Sequence, residues 1–89
     1  PATVAVDSHS GLAGIAHWLN GFYDLKADQA VDKKHPVVQA MKEEVDRLYQ
    51  SGRNTVMGDG ELEMILEQVD EEFFIAATNH RQRNKKTTR

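Results

Sequence analysis

The segment HPVVQAMKEEVDRLYQSG, residues 35–52, constrains the fold more than any other part of the chain. Its apolar side chains recur every three or four residues, which places them along one face of an α-helix. Pro36 stands in the first helical turn, where its missing N–H is not needed, and Gly52 is typical of a helix C-terminus. These signals predict an amphipathic helix over residues 36–51. His35, just before the proline, is expected to cap this helix or to lie in the preceding loop.

The same periodicity predicts two further helices, over about residues 11–22 and about residues 60–78. Asp59 is expected to cap the last of them. The fold class is therefore mainly α: a small three-helix unit with short extended links. We expect residues 1–78 to form this helical accessory domain and residues 79–89 to form a flexible basic tail.

The composition excludes several classes of site. The 89 residues include no cysteine, so disulfides, thiolate metal sites and cysteine nucleophiles are excluded. No apolar run approaches the roughly 18 residues of a membrane span, so no membrane partner is expected and a cytoplasmic location is the default. Because the chain begins at Pro1 and not at methionine, it is expected to be a processed chain or a piece of a longer one.

Charge is unevenly distributed along the chain. Residues 1–78 carry six basic and fourteen acidic side chains, a net charge of −8, whereas five of the eleven basic residues fall in the last nine positions. Such a tail is compatible with a contact to nucleic acid or to an acidic protein surface. No aromatic residue interleaves with the tail's basic residues, so a nucleic-acid partner is not the favoured interpretation.

The four histidines do not form a recognisable metal motif. His9 and His17 are eight residues apart, which is not the i, i+4 spacing that places two imidazoles on one helix face. The segment before the last predicted helix also fails as a calcium loop, because Thr55 and Met57 fall at positions that require ligand oxygens when Gly60 is aligned with the loop glycine. No metal site and no complete catalytic constellation are therefore predicted within this chain.

Residues 7–23, DSHSGLAGIAHWLNGFY, hold the remaining candidates. His9 and Ser10 precede a helix N-terminus, where backbone N–H groups and the helix dipole favour an anion such as a carboxylate. Gly11 and Gly14 each cost the helix about 1 kcal/mol relative to alanine. The presence of glycine at these positions is explained if another backbone approaches closely there. We therefore predict an interface that includes Gly11, Gly14 and Trp18.

The order of three segments resembles the accessory region that follows the barrel in the isopropylmalate synthase and homocitrate synthase family. SHSGLAGIAHWLNGFYDL is similar to a family segment in which small residues run into an aromatic helix. HPVVQAMKEEVDRLYQSGR is similar to the long helix that follows, and TVMGDGELEMILEQV to an acidic cap that opens a last helix. Together these stretches cover roughly residues 7–70.

The resemblance implies an accessory and dimerisation region of a cytoplasmic acyltransferase of amino-acid biosynthesis, one that is not catalytic alone. Family members condense an acyl-CoA with a 2-oxo acid, using a divalent metal held in a TIM barrel that these 89 residues do not include. The implied partners are that catalytic barrel and a second copy of the subunit. The substrate-proximal candidates are His9, Ser10, His17 and Tyr23, of which Tyr23 stands where some members place a histidine.

Two function classes therefore remain open from the sequence. The first is the accessory region of a metal-dependent acyltransferase. The second is a small helical protein-interaction module whose basic tail contacts nucleic acid or an acidic partner.

Overall fold

Four α-helices make up most of the computed structural model of this protein, which describes Val6 and residues 10–87, the last three by their backbone alone. The helices are α1 (Gly11–Tyr23), α2 (Pro36–Gln50), α3 (Asp59–Val69) and α4 (Glu71–Thr87), and a short 3₁₀ helix, Ala27–Gln29, lies between α1 and α2. The fold is therefore mainly α, as the sequence predicts. Among the described residues, no helix is long and apolar enough to cross a bilayer.

The helix starts follow from residues visible in the sequence. The ring nitrogen Nδ1 of His35 accepts a hydrogen bond from the backbone N–H of Val37 at 3.1 Å, so the predicted capping role of His35 is confirmed. Pro36 occupies the first position of α2. Helix α3 begins one residue earlier than expected: Gly58 is its N-cap and Asp59 is its first residue, which releases the Asp59 side chain for another contact.

The last predicted helix is in fact two helices. The chain breaks at Asp70, whose backbone leaves the helical region, and whose side-chain oxygen Oδ1 accepts from the backbone N–H of Phe73 at 3.0 Å. This is the hydrogen bond of an N-cap, so Asp70 ends α3 and caps the start of α4. Helix α4 then continues to Thr87, whereas the sequence predicts a helix end near residue 78. The division of the chain there into a domain and a flexible tail stays a prediction.

The helices pack around one core, with α1 against α2 and α4, and α3 against α2 and α4. Ile15 and Leu19 of α1, Met41 of α2 and Leu66 of α3 are among the fully buried residues. An isolated antiparallel bridge joins Val6 to Met57 through a hydrogen bond of 2.8 Å from the Met57 N–H, and it lies against the same core.

A side-chain amide fixes the connection between α1 and α2. Asn20 donates from Nδ2 to the carbonyl of Val31 at 2.9 Å and accepts at Oδ1 from the Val31 N–H at 2.8 Å. These two hydrogen bonds hold the loop against α1. Leu25 and Val31 of the loop belong to the core. The loop therefore brings the 3₁₀ helix close to α4, since Gln29 and residues of α4 line one pocket.

Candidate functional site

The aromatic residues of α1 form a cluster inside the chain. The Trp18 and Phe22 rings stack with their centroids 5.2 Å apart, and Tyr23 meets Trp18 and Phe22 edge to face at 5.7 and 4.9 Å. Trp18 is 2% exposed and Tyr23 is fully buried. Trp18 and Tyr23 therefore pack the joint between helices, whereas Phe22 is half-buried.

Helix α3 supplies acidic partners for two of these rings. Trp18 Nε1 donates a hydrogen bond of 2.9 Å to Asp59 Oδ1, and the Tyr23 hydroxyl lies 3.5 Å from Glu63 Oε2 and donates toward it. Asp59 and Glu63 are four residues apart, so one face of α3 carries both carboxylates. Burial, and next the negative charge of Glu63, raise the pKa of the Tyr23 phenol far above its usual range. Tyr23 is therefore a neutral hydrogen-bond donor across the physiological pH range.

Helix α4 contacts the C-terminal end of α1 through polar side chains. Asp24 adopts a left-handed conformation, with φ of 58°, and ends α1. His80 Nε2 lies 3.0 Å from the Asp24 carbonyl and 3.2 Å from Asn84 Nδ2, so one ring nitrogen contacts both residues. Asn84 Nδ2 donates to Asp24 Oδ2 at 2.7 Å. Hydrogen bonds from Lys26 and Asn84 lower the pKa of the Asp24 carboxyl.

Arg81 of α4 completes the aromatic cluster from outside. Its guanidinium carbon lies 4.1 Å from the centroid of the Phe22 ring, which is within the range of a cation–π contact. Phe22 therefore contacts both the Trp18 ring and a cation. This places one of the five basic residues from the predicted tail against the helical unit.

Within the described part of the chain, Ser10 and Tyr23 lie far apart. His9 lies outside the described residues. Ser10 is the N-cap residue of α1 but makes no side-chain capping hydrogen bond to the helix. His17 is exposed, whereas Tyr23 is buried at the opposite end of α1 from Ser10, roughly 20 Å along a helix of this length. The described structure therefore separates the predicted substrate-proximal residues Ser10 and Tyr23.

The predicted interface residues also differ in exposure. Trp18 lies in the core, because its indole packs on neighbouring rings and its N–H binds Asp59. Gly11 has a φ of +69°, which a glycine adopts without strain. At Gly14, an added Cβ would meet Ser10 Cβ at 2.9 Å, so a larger residue there would require the start of the helix to shift. A contact of these three residues with a partner chain stays a prediction.

One exposed face of α1 remains without a covering helix in the described structure. Ala13, His17 and Gly21 follow one another at intervals of four residues and are all exposed. A Cβ added at Gly21 would meet no atom within 4 Å. We call these three residues the α1 outer face. It presents an imidazole between two small residues.

Several partners in this arrangement were not predicted from the sequence. The sequence indicates only that Glu63 is a negative charge near the N-terminus of a helix. The spacing of four residues between Asp59 and Glu63 places both on one face of α3, and this was the sequence signal that they could bind neighbouring groups. His80, Arg81 and Arg83 lie within or directly before the basic segment, and the sequence carries no local sign that they fold back on α1. The contacts of His80 with Asp24 and of Arg81 with Phe22, each more than fifty positions away, arise from tertiary packing alone.

Comparison with known proteins finds similarity to two synthases. The chain is 42% identical over 69 residues to a citrate (Re)-synthase of Clostridium kluyveri, a match that covers 78% of this chain and 15% of that protein. It is 33% identical over 76 residues to a citrate (Re)-synthase of Syntrophus aciditrophicus, which covers 85% of this chain and 12% of that protein. No protein-family model matches the chain, and no solved structure matches it significantly. The chain is thus similar to a short segment of these much longer synthases.

Proposed function

We propose that this chain is an accessory segment of a synthase that joins an acyl thioester to a 2-oxo acid, and that it is not catalytic alone. The observation that carries the proposal is the 42% identity over 69 residues to a citrate (Re)-synthase. Citrate is the adduct of an acetyl methyl carbon and the keto carbon of oxaloacetate, which is a 2-oxo acid. This is the reaction class that the resemblance to isopropylmalate and homocitrate synthases implies.

The hydrogen bonds of the chain support an accessory role. Three polar side chains of the described residues hold helices together: Trp18 binds Asp59, Tyr23 donates toward Glu63, and His80 contacts the carbonyl that ends α1. A buried, neutral tyrosine whose hydroxyl faces a carboxylate of its own chain serves packing and orientation. The reacting groups and the divalent metal of the proposed synthase are therefore assigned to its barrel domain, outside these 89 residues.

The α1 outer face is the surface through which we expect the segment to contact the rest of the enzyme. Small side chains at Ala13 and Gly21 allow another backbone to approach closely, and His17 lies between them with its imidazole exposed. The proposed partners are the catalytic barrel and a second subunit. Of the substrate-proximal candidates in the described residues, His17 is the exposed one, and we expect it to face the partner.

A chimeric enzyme tests the proposal. The matched segment of the Clostridium kluyveri citrate (Re)-synthase is replaced by the corresponding part of this chain, and citrate formation from acetyl-CoA and oxaloacetate is assayed. We expect a rate within about tenfold of the parent enzyme's. The 89-residue chain alone, in the same assay with added divalent metal, is expected to form no citrate.

Two results would contradict the proposal. A chimera that is folded by circular dichroism and has the parent's sedimentation behaviour, yet forms no citrate, would show that this chain does not perform the segment's role. Citrate formation by the isolated chain would show that it is catalytic alone. A chimera that also carries His17→Ala serves as the matched variant, and we expect its rate to fall below that of the unsubstituted chimera.

A further inference from the structure

A pocket of about 250 Å³ lies between the segment after α1 and helix α4. Its wall is mostly apolar and consists of side chains from both elements: Leu25, Phe73, Ala76 and Ala77. The reciprocal hydrogen bonds of Asn20 with Val31 hold the loop on one side, and the contacts of His80 and Asn84 with Asp24 hold α4 on the other. Both walls are therefore tied to α1, the loop through Asn20 and α4 through Asp24 at the helix end.

Three polar side chains interrupt the apolar lining: Gln29, His80 and Arg83. Arg83 has no hydrogen bond, ion pair or ring contact with the described residues, in contrast to Arg47 and Arg53, which pair with Glu44 and Glu61. Among the described residues its guanidinium therefore has no counter-charge, and it lines an apolar pocket. The planar donor fork of an arginine matches a carboxylate, which it binds through two parallel hydrogen bonds.

We propose that this pocket binds a small aliphatic carboxylate, with the carboxylate on Arg83 and the hydrocarbon chain on the apolar wall. Gln29 stands on the loop side and supplies an amide that hydrogen-bonds the same head group or an oxygen next to it. The imidazole of His80 also lines the pocket, with its Nε2 engaged with the Asp24 carbonyl. The site combines one charge with a short apolar surface.

Size and charge select this ligand class over larger or more highly charged ones. The volume is below the 300–1,000 Å³ that is usual for sites of drug-sized molecules, so only a small ligand is enclosed. A phosphate group, with nearly two negative charges, is usually held by several cations or a set of backbone N–H groups. Here one arginine stands beside four apolar residues, which suits a singly charged head and a hydrocarbon tail.

The inference does not depend on the proposed function. It rests on residues at the C-terminal end of α1 and on α4, whereas the α1 outer face is formed by Ala13, His17 and Gly21. The chimera experiment can fail while the pocket binds its ligand, and the reverse also holds.

Titration of the 89-residue chain, labelled with ¹⁵N, by sodium hexanoate tests the site by NMR. We expect saturable shifts at the backbone amides of Ala76 and Ala77, the side-chain amide of Gln29 and the Nε–H of Arg83, with a dissociation constant of about 1 mM for a ligand of this size. Hexan-1-ol, which has the tail without the charge, and acetate, which has the charge with a minimal tail, are each expected to bind at least about fivefold more weakly.

Matched variants separate the proposal from unspecific binding. Arg83→Gln is expected to weaken hexanoate binding about fivefold or more, because the charge-assisted hydrogen bonds are lost. Arg47→Gln removes the same charge from α2, outside the pocket lining, and is expected to leave the binding unchanged. Ala76→Leu fills the pocket from an exposed helix position and is expected to weaken binding without changing the charge.

Three outcomes would overturn the site. The first is the lack of saturable shifts at the pocket residues in a chain whose spectrum is well dispersed. The second is binding of hexan-1-ol as tight as that of hexanoate. The third is an equal effect of Arg83→Gln and Arg47→Gln on the dissociation constant.

Discussion

The indole N–H of Trp18 donates a hydrogen bond of 2.9 Å to the carboxylate of Asp59, across 41 positions of the sequence. Trp18 lies in the middle of α1, and Asp59 is the first residue of α3. A negative side chain at this position also interacts favourably with the N-terminal end of the α3 dipole. One carboxylate therefore joins two helices and stabilises the start of one of them.

This pair predicts measurable coupling between α1 and α3. Trp18→Phe keeps an aromatic ring but removes the donor, and Asp59→Ala removes the acceptor; each is expected to lower the free energy of unfolding by about 1–2 kcal/mol. Urea unfolding of the two single variants and the double variant gives the coupling energy, which we expect to be about 0.5–1.5 kcal/mol. Asp59→Asn retains an acceptor oxygen and is expected to cost less than Asp59→Ala. Strict additivity of the two single effects would contradict the pairing.

The buried phenol of Tyr23 predicts a loss of stability at alkaline pH. Burial, reinforced by Glu63, raises its pKa in the folded chain above the value of about 10 in the unfolded chain. Below pH 10 both states hold the proton and the contribution to stability is complete. Above pH 10 the unfolded chain loses the proton first, so the free energy of unfolding falls by about 1.4 kcal/mol per pH unit from this group.

Urea unfolding of the wild type, Tyr23→Phe and Glu63→Gln at pH 8 and pH 11 measures this effect. Both variants lose the contact between the hydroxyl and the carboxylate, so both are expected to be slightly less stable at pH 8. Tyr23→Phe has no phenol and is expected to lose less stability between the two pH values than the wild type does. Glu63→Gln keeps the buried phenol, and burial is the larger cause of the raised pKa, so most of its alkaline loss remains. Identical alkaline losses in the wild type and Tyr23→Phe would exclude the assignment.

The contact of Arg81 with Phe22 predicts a stabilising role for the first basic residue of the C-terminal segment. Arg81→Gln is expected to lower the free energy of unfolding by about 0.5–1 kcal/mol, because the cation no longer lies on the ring. Arg83→Gln is the matched control, since Arg83 lies two positions further on and contacts no ring of the described residues. It is expected to change stability by less than about 0.5 kcal/mol. Thermal unfolding followed by circular dichroism makes the comparison, and equal effects of the two substitutions would contradict it.

The helical content of the chain was predictable because it depends on local signals. Periodic apolar residues, Pro36 and a capping His35 determine α2, and all three are visible in the sequence. The break at Asp70 was also encoded locally, since an aspartate followed by two glutamates is typical of a helix N-terminus. The apolar pattern of residues 62–74 runs through that position without a change of period, and for this reason it predicts one helix where the structure has two.

The candidate site was less predictable, because its contacts join distant segments. Trp18 was expected to meet a partner, since α1 carries apolar residues on more than one side. The structure covers those sides with α2 and α4, and with the Asp59 carboxylate of α3. Sequence periodicity shows that a face is apolar but does not show which element covers it. The pocket beside Arg83 depends equally on how α4 folds back on the loop after α1.

Two glycines of α1 predict different effects of the same substitution. Gly21→Ala adds a methyl group where no atom lies within 4 Å, and alanine favours a helix over glycine, so we expect the free energy of unfolding to rise by about 0.5–1 kcal/mol. Gly14→Ala would bring its Cβ to 2.9 Å from Ser10 Cβ, and the helix start must shift to accept it. Gly14→Ala is therefore expected to give a smaller gain or a loss. Thermal unfolding of the two variants measures the difference, and a greater gain for Gly14→Ala would contradict the geometry.

Gly21→Ala also tests the α1 outer face in the assembled enzyme. In the chimera with the citrate (Re)-synthase, the added methyl group lies on the proposed contact surface, so we expect subunit association or citrate formation to weaken although the segment itself is more stable. Gly60→Ala is the matched control: it adds a methyl group in open space on α3, away from the outer face, and is expected to leave the chimera unchanged. Sedimentation velocity and the citrate assay compare the two variants. Equal behaviour of Gly21→Ala and Gly60→Ala in both measurements would show that the outer face of α1 is not the contact surface.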